Sequence, residues 1–299
     1  MRYYSLNDYC KKTFGEKVYK LSLNAGMTCP NRDGSLSYTG CFYCSEGGSG
    51  DFASDSSLPI AAQLSEVRRR LSSKTDCRKF IAYFQAFTNT YAPVEYLEKI
   101  FYEAISDPSV CVLSIGTRTD CFNDEIYDLL SRLNNIKPVW IELGLQSIHQ
   151  STLDAMNTHT KVSDFTVVCN ELNKRSIKVI AHLILGLPGE TKEMMLESVD
   201  FAAKSNIFGI KLQLLHVLRN TKLAELYEKD PFPLFSLEEY CDFIVDCIER
   251  LPPGMVIHRM TGDGPRKLLI APMWSTDKKR VLNTINQNFI KRNPTNLAN

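Results

Sequence analysis

Six short apolar runs rich in β-branched and aromatic residues recur along this 299-residue chain, at residues 18–23, 80–84, 110–115, 139–143, 179–185 and 210–215. Between them lie stretches of helical periodicity near 60–71, 94–105, 124–133, 163–174 and 192–203. Strands separated by helices, with no hairpin signal, run parallel, and right-handed crossovers put the helices outside a sheet that curls on itself. The expected fold class is α/β, a partial (β/α)6 barrel with parallel strands and a small C-terminal extension. Asn123 before Asp124 and Glu125, and Pro93 at a first turn, give two of the helices plausible starts.

Beyond the sixth strand the alternation stops. Ser236-Leu-Glu-Glu239 reads as a capping box opening a helix to about residue 250, followed by a short strand near 255–260 and a last helix from about 277. The expected division is 1–217 for the barrel with its N-terminal segment and 218–299 for the extension. In such a barrel the active site lies at the carboxyl ends of the strands. No run of about 18 apolar residues occurs and the start lacks a signal-peptide core, so a cytoplasmic location without a membrane is expected.

The loop after the first strand carries Cys29, Cys41 and Cys44 in C-x11-C-x2-C spacing. Three thiolates on a 4Fe-4S cubane leave one iron open to a substrate or cofactor. Cys41 and Cys44 reach two corners from one tight turn eased by Gly40, and Cys29 supplies the third. The competing reading is half of a structural zinc site, or buried thiols; zinc wants a fourth ligand, and no second pair lies nearby. Ten cysteines are too sparse for a disulfide scaffold, and Cys111, Cys169, Cys241 and Cys247 read as packing. Cys121, at a strand end after Arg118 and Asp120, is expected to be a buried small hydrophobe.

The segment Lys20 to Gly34, followed by Gly40-Cys-Phe-Tyr-Cys44, resembles the radical S-adenosylmethionine (radical SAM) enzymes, and more narrowly a bacterial family of that superfamily. Gly116-Thr-Arg-Thr-Asp120, Glu142-Leu-Gly-Leu-Gln-Ser147, His182 to Glu190 and Arg259-Met-Thr-Gly-Asp-Gly-Pro265 extend the resemblance over nearly the whole chain. The cysteine spacing is similar to that of the Elongator catalytic-subunit-like branch. The resemblance implies a 4Fe-4S cluster and S-adenosylmethionine as cofactors, with a 5'-deoxyadenosyl radical that takes hydrogen from the substrate. It further implies action on the wobble uridine of tRNA, removing the carboxymethyl group of a 5-carboxymethylaminomethyl(-2-thio)uridine to leave the aminomethyl form. No composition or spacing speaks to that substrate.

Against that background, Tyr43 is expected against the adenine, or else only shielding the cluster. Gln85 and Asn89 stand where relatives place a Gly-Gly-Glu-like segment for the methionine amine, a departure that weakens their assignment. Arg118 and Asp120 suit the methionine carboxylate and an ammonium or ribose hydroxyl, or form a rim ion pair. Glu142, a charge inside an apolar strand, is expected to meet cofactor or substrate. Gln146 and Ser147 are expected near the ribose, and Gly186 opens a loop leading to a helix N-terminus. His182 and His216 read as core histidines, with substrate contact the minority reading. Arg259 and Asp263 are substrate candidates, the alternative being a charged turn that ties the extension to the barrel.

With 35 Lys and Arg against 34 Asp and Glu, the net charge of +1 offers no overall footprint for a polyanion. Local patches at Arg68-Arg-Arg70, Lys278-Lys-Arg280 and Lys291-Arg292 would have to serve, unless they are solvated helix faces. Expected partners are a tRNA substrate, an electron donor such as flavodoxin or ferredoxin, and a downstream methyltransferase. Two other readings stay open: a radical SAM enzyme acting on another RNA position or a small metabolite, and a non-catalytic metal-stabilised RNA-binding module.

Overall fold

The computed structural model describes residues 3–48, 50–73, 76–262 and 264–292. The elements run α1 (Leu6–Phe14), β1 (Tyr19–Leu23), α2 (Ile60–Ser72), β2 (Phe80–Phe84), α3 (Val94–Ser106), β3 (Val110–Thr117), α4 (Asp124–Asn134), β4 (Val139–Gln146), α5 (Gln150–Ala155), α6 (Val162–Lys174), β5 (Lys178–Leu185), α7 (Lys192–Lys204) and β6 (Gly209–Leu214). Then follow β7 (Val217–Leu218), α8 (Lys222–Lys229), α9 (Leu237–Glu249), β8 (Val256–Arg259), β9 (Leu269–Ala271) and α10 (Lys278–Arg292). Side-chain caps set several starts: Asn123 accepts from the Ile126 amide at 2.9 Å, and Ser236 and Glu239 close the expected capping box on α9.

All seven strands of the main sheet are parallel, in the order β1-β2-β3-β4-β5-β6-β8. This is one strand more than the alternation predicts, because β8, expected within the extension, pairs with β6. β7 and β9 form a separate antiparallel pair that the sequence pattern does not announce.

The side-chain period of two sorts each strand into an outer and an inner face. The outer face packs on the helices, as where Phe84 meets Phe101 at 5.1 Å between ring centroids; truncating the fully buried Phe84 would cost ~3–5 kcal/mol. The inner face is layered. Near the amino ends of the strands, Ile81, Val112, Trp140 and Ile180 form a buried apolar cluster with Cys10 of α1, against which Leu6, Tyr9 and Phe14 pack. Helix α1 thereby stoppers the barrel from below. Two residues further along the same strands come Tyr83, Ser114, Glu142 and His182, and two further again come Gln85, Gly116, Gly144 and Ile184. An apolar floor, a charged middle and a polar rim result.

Candidate active site

The long loop after β1 folds back over the carboxyl ends of the strands. Its turn at Cys41 is tight, with the Cys44 amide donating to the Cys41 carbonyl at 3.0 Å. Gly40 has φ +76°, and a Cβ there would fall 2.8 Å from Arg32 Nε. That close approach lets the Arg32 guanidinium donate to the carbonyls of Cys44 at 3.0 Å and Ser45 at 2.7 Å. Asn157 straps the loop from the other side, donating to the Gly40 carbonyl at 2.8 Å, and Asn31 donates to Cys41 Sγ at 3.4 Å.

Cys29, Cys41 and Cys44 form no disulfide and line one cavity of about 260 Å3. Burial, with the neighbouring Cys44, pushes the Cys41 thiol up to about 11, so only a strongly electrophilic partner such as a metal strips its proton near neutrality. Among the described residues no three His, Cys, Asp or Glu side chains are arranged to hold a single ion. A cubane takes each thiolate on a different iron and needs no such convergence.

Tyr43, Gln85, Arg118, Glu142, Gln146 and Arg259 line the same cavity. Arg118 grips Asp120 through Nε at 2.9 Å and one Nη at 2.7 Å; burial works against its charge, and the Asp120 carboxylate outweighs it and holds the guanidinium above its usual range. The other Nη faces no partner among the described residues. Gln146 sits at a slip in register between β4 and β5 with φ 63°, left-handed for a non-glycine residue. Its Oε1 is buried without a hydrogen-bond partner, and a Cβ on Gly144 would lie 2.6 Å from its Nε2.

Other expected residues fall elsewhere. Asn89 is fully buried and donates to the carbonyls of Ala86 and Gly116, tying two loops together, away from the cavity. Asp120 lines a second cavity beyond Arg118. Gly186, at φ +94°, faces Phe235. Ser147 is buried and donates to Glu190. Asp263 lies outside the described residues. Gly262 and Gly264 leave room for the His216 ring, which a Cβ on either would meet at 2.3 and 2.5 Å, so the 259–265 loop clasps a cavity-lining histidine. The basic runs are partly spent: Arg68 pairs with Asp107, Arg70 with Glu66, and Arg292 with Asp242, Asp246 and Glu249.

Sequence reasoning missed most of the middle layer. Glu142 accepts at Oε1 from Lys20 and from Ser114 at 2.7 Å, and at Oε2 from Lys211 and from His182 Nε2 at 2.8 Å. Burial works against its charge, but Lys20 and Lys211 hold its carboxyl well below the usual range. Burial, with Lys211 nearby, lowers His182 to about 4 against the pull of Glu142, so the imidazole is neutral near pH 7. His182, read as a core histidine, instead faces the cavity.

Residues 28–202, more than half of the chain, match the model of the radical SAM superfamily, and residues 207–291 match the Radical_SAM C-terminal domain. The chain belongs to the radical SAM superfamily. It is 41% identical to YtqA of Bacillus subtilis (strain 168), an uncharacterized protein, over 291 residues, 97% of this chain and 90% of that protein. It is 26% identical to the tRNA uridine(34) acetyltransferase of Methanocaldococcus jannaschii over 169 residues, 54% of this chain and 30% of that protein. The archaeal Methanocaldococcus infernus Elp3, with an N-terminal deletion, shares its fold at a TM-score of 0.68 and 17% identity, over 90% of this chain and 63% of that one. This chain thus spans less than two thirds of the acetyltransferase and of the Elp3 chain.

A radical SAM enzyme takes a 4Fe-4S cluster and S-adenosylmethionine. The cavity fits both, with three thiols outside any disulfide on one loop for the cluster and a buried, unpartnered acceptor on Gln146 for a hydroxyl or amine of the cofactor. No helix among the described residues is long and apolar enough to cross a membrane.

Proposed function

We propose that this radical SAM enzyme acts on the wobble uridine of tRNA, removing the carboxymethyl group of 5-carboxymethylaminomethyl(-2-thio)uridine to leave the aminomethyl form. The observation that carries this reading is the likeness to a protein named for tRNA uridine 34, which extends over 54% of this chain.

Cys29, Cys41 and Cys44 would hold the cluster, on a loop that Arg32 fixes through the Cys44 and Ser45 carbonyls. When bound, the cluster and S-adenosylmethionine supply one-electron chemistry that removes a hydrogen atom from an unactivated carbon. Arg118 would present its remaining donors to the methionine carboxylate, while Asp120 fixes the plane of its fork. Gln146 would accept from the ribose, and Tyr43, half-buried beside the thiols, would cover the adenine and exclude water. The cycle draws its electron from a donor such as flavodoxin or ferredoxin. The product is a primary amine suited to a downstream methyltransferase.

The test is the nucleoside content of tRNA from a strain with and without this gene. Loss of the gene should raise the carboxymethylaminomethyl form at the expense of the aminomethyl form and its derivatives. An unchanged profile would overturn the reading.

A further inference from the structure

The charged middle layer of the barrel is not needed to hold either cofactor. Glu142 lies four residues before Gln146 on β4, about 13 Å of strand, so the layer sits well below the rim where Gln146 and Arg118 stand. Its own carboxylate is saturated, since a carboxylate offers about four acceptor directions and Lys20, Ser114, Lys211 and His182 take them. Glu142 therefore positions lysines; it has nothing left to give a ligand.

Lys211 is different. Its side chain is only 4% exposed, yet it lines the cavity. Of the three N–H bonds of its ammonium, one goes to Glu142 and one to Tyr83 Oη at 3.1 Å, which leaves the third without a partner among the described residues. The charges do not balance either. One carboxylate serves two ammoniums, so the two lysines are short of negative charge. Burial first, then repulsion from Lys20 and Arg259, hold Lys211 well below its usual range despite Glu142. An anion delivered to its third N–H reverses that repulsion. Below lies the apolar cluster stoppered by α1, with the buried His258 ring packed against its Trp140, so the anion enters from the cavity.

We propose that Lys211, propped on Glu142 and Tyr83 with Lys20 behind it, is a carboxylate-binding site in the middle of the barrel, and that it holds the carboxymethyl end of the substrate side chain. The identity of that substrate rests on the wobble-uridine reading above; the carboxylate site rests on the layer itself. The methionine carboxylate of the cofactor does not compete, because Arg118 serves it at the rim. Lysine and glutamate at this depth also explain why the cavity is charged where a radical enzyme would otherwise favour an inert lining. The charge selects the substrate, and saturation of Glu142 keeps it from drawing the ligand elsewhere.

The experiment uses cluster-loaded enzyme with S-adenosylmethionine bound and two probes, N-methylglycine and N-methylglycinamide. The first reproduces the ammonium and carboxylate of the proposed side chain; the second removes the negative charge and keeps the shape. Isothermal titration should show the acid binding at least about tenfold more tightly than the amide, and Lys211→Met should abolish that preference while leaving S-adenosylmethionine affinity within about twofold. Lys211→Gln repeats the test if the methionine variant does not fold, and the comparison of the two probes on the unmodified enzyme needs no variant. Equal binding of the two probes, or an acid preference that survives both substitutions, overturns the proposal. An acid preference that depends on Lys211, in a protein whose gene leaves tRNA nucleosides unaltered, keeps the carboxylate site and discards the wobble-uridine substrate. Altered nucleosides without an acid preference do the reverse.

Discussion

Lys20 and Lys211 hold opposite oxygens of Glu142 and also stand over the same ring, that of Tyr83, at 4.5 and 4.6 Å from its centroid. Two ammoniums from opposite reaches of the sheet, β1 and β6, are thus fastened through one carboxylate and one aromatic face.

Removing the carboxylate strands both lysines. Glu142→Gln should lower unfolding stability by ~3–5 kcal/mol, the usual cost of leaving a buried charge without its partner. Urea denaturation checks this, and the double variant Glu142→Gln with Lys211→Met should recover much of the loss. A single variant as stable as the unmodified protein would mean that the lysines find other anions.

The thiols should behave as a set. Cys29→Ala, Cys41→Ala or Cys44→Ala should each lose bound iron and S-adenosylmethionine cleavage, whereas Cys241→Ala, buried in α9, should keep both. Iron content and 5'-deoxyadenosine yield after anaerobic reconstitution are the measurements, and full activity in Cys41→Ala would remove the cluster from this loop.

Gln146 offers a change with opposite effects on stability and function. Gln146→Gly relieves a left-handed backbone at φ 63° and should raise stability by ~1 kcal/mol. The same change deletes the unpartnered Oε1 and should weaken S-adenosylmethionine binding about tenfold. Thermal unfolding and equilibrium binding read the two arms separately; unaltered affinity would place the ribose elsewhere.

His182 predicts a pH dependence. Its folded value, about 4, lies below the ordinary 6.5, so the unfolded chain takes up a proton that the folded chain refuses. Stability from this group is complete above about pH 6.5 and is lost as pH falls toward about 4, by on the order of 3 kcal/mol. Glu142, held low by its lysines, adds a loss of the same sign at still lower pH. His182→Gln should flatten the profile between those two values. Parallel profiles for variant and parent would show that the imidazole is not neutral in the fold.

The six barrel strands and helices α2, α3, α4, α6 and α7 fall within about three residues of where apolar periodicity puts them, because the outer face of this sheet is continuously buried, whereas the short α5 was not expected. The inner face is where reading by pattern fails. Lys20 in Tyr-Lys-Leu-Ser-Leu and Lys211 in Gly-Ile-Lys-Leu-Gln-Leu alternate with apolar residues, and alternation reads equally as a face turned to water or to a polar lumen. Glu142 stood out only because its run, Val-Trp-Ile-Glu-Leu, is apolar on both sides. Helix α1 was missed for want of a long apolar run, although Leu6, Tyr9, Cys10 and Phe14 carry the spacing of one buried face. Asn89 went wrong for a different reason: position after a strand does not tell a side chain facing a ligand from one that ties two loops together.

Among the described residues, the stopper formed by α1 closes the floor of the barrel and leaves its mouth under the cysteine loop. Cys10, Ile81, Val112, Trp140 and Ile180 are sealed against one another, so molecules that enter over the cysteine loop leave the way they came. A small cofactor lodged in the lumen is then trapped for as long as a bulky macromolecule rests on the opening. On the wobble-uridine reading, traffic should then be ordered: the small guest boards first, the large one closes the entrance, and turnover waits on the departure of the large one.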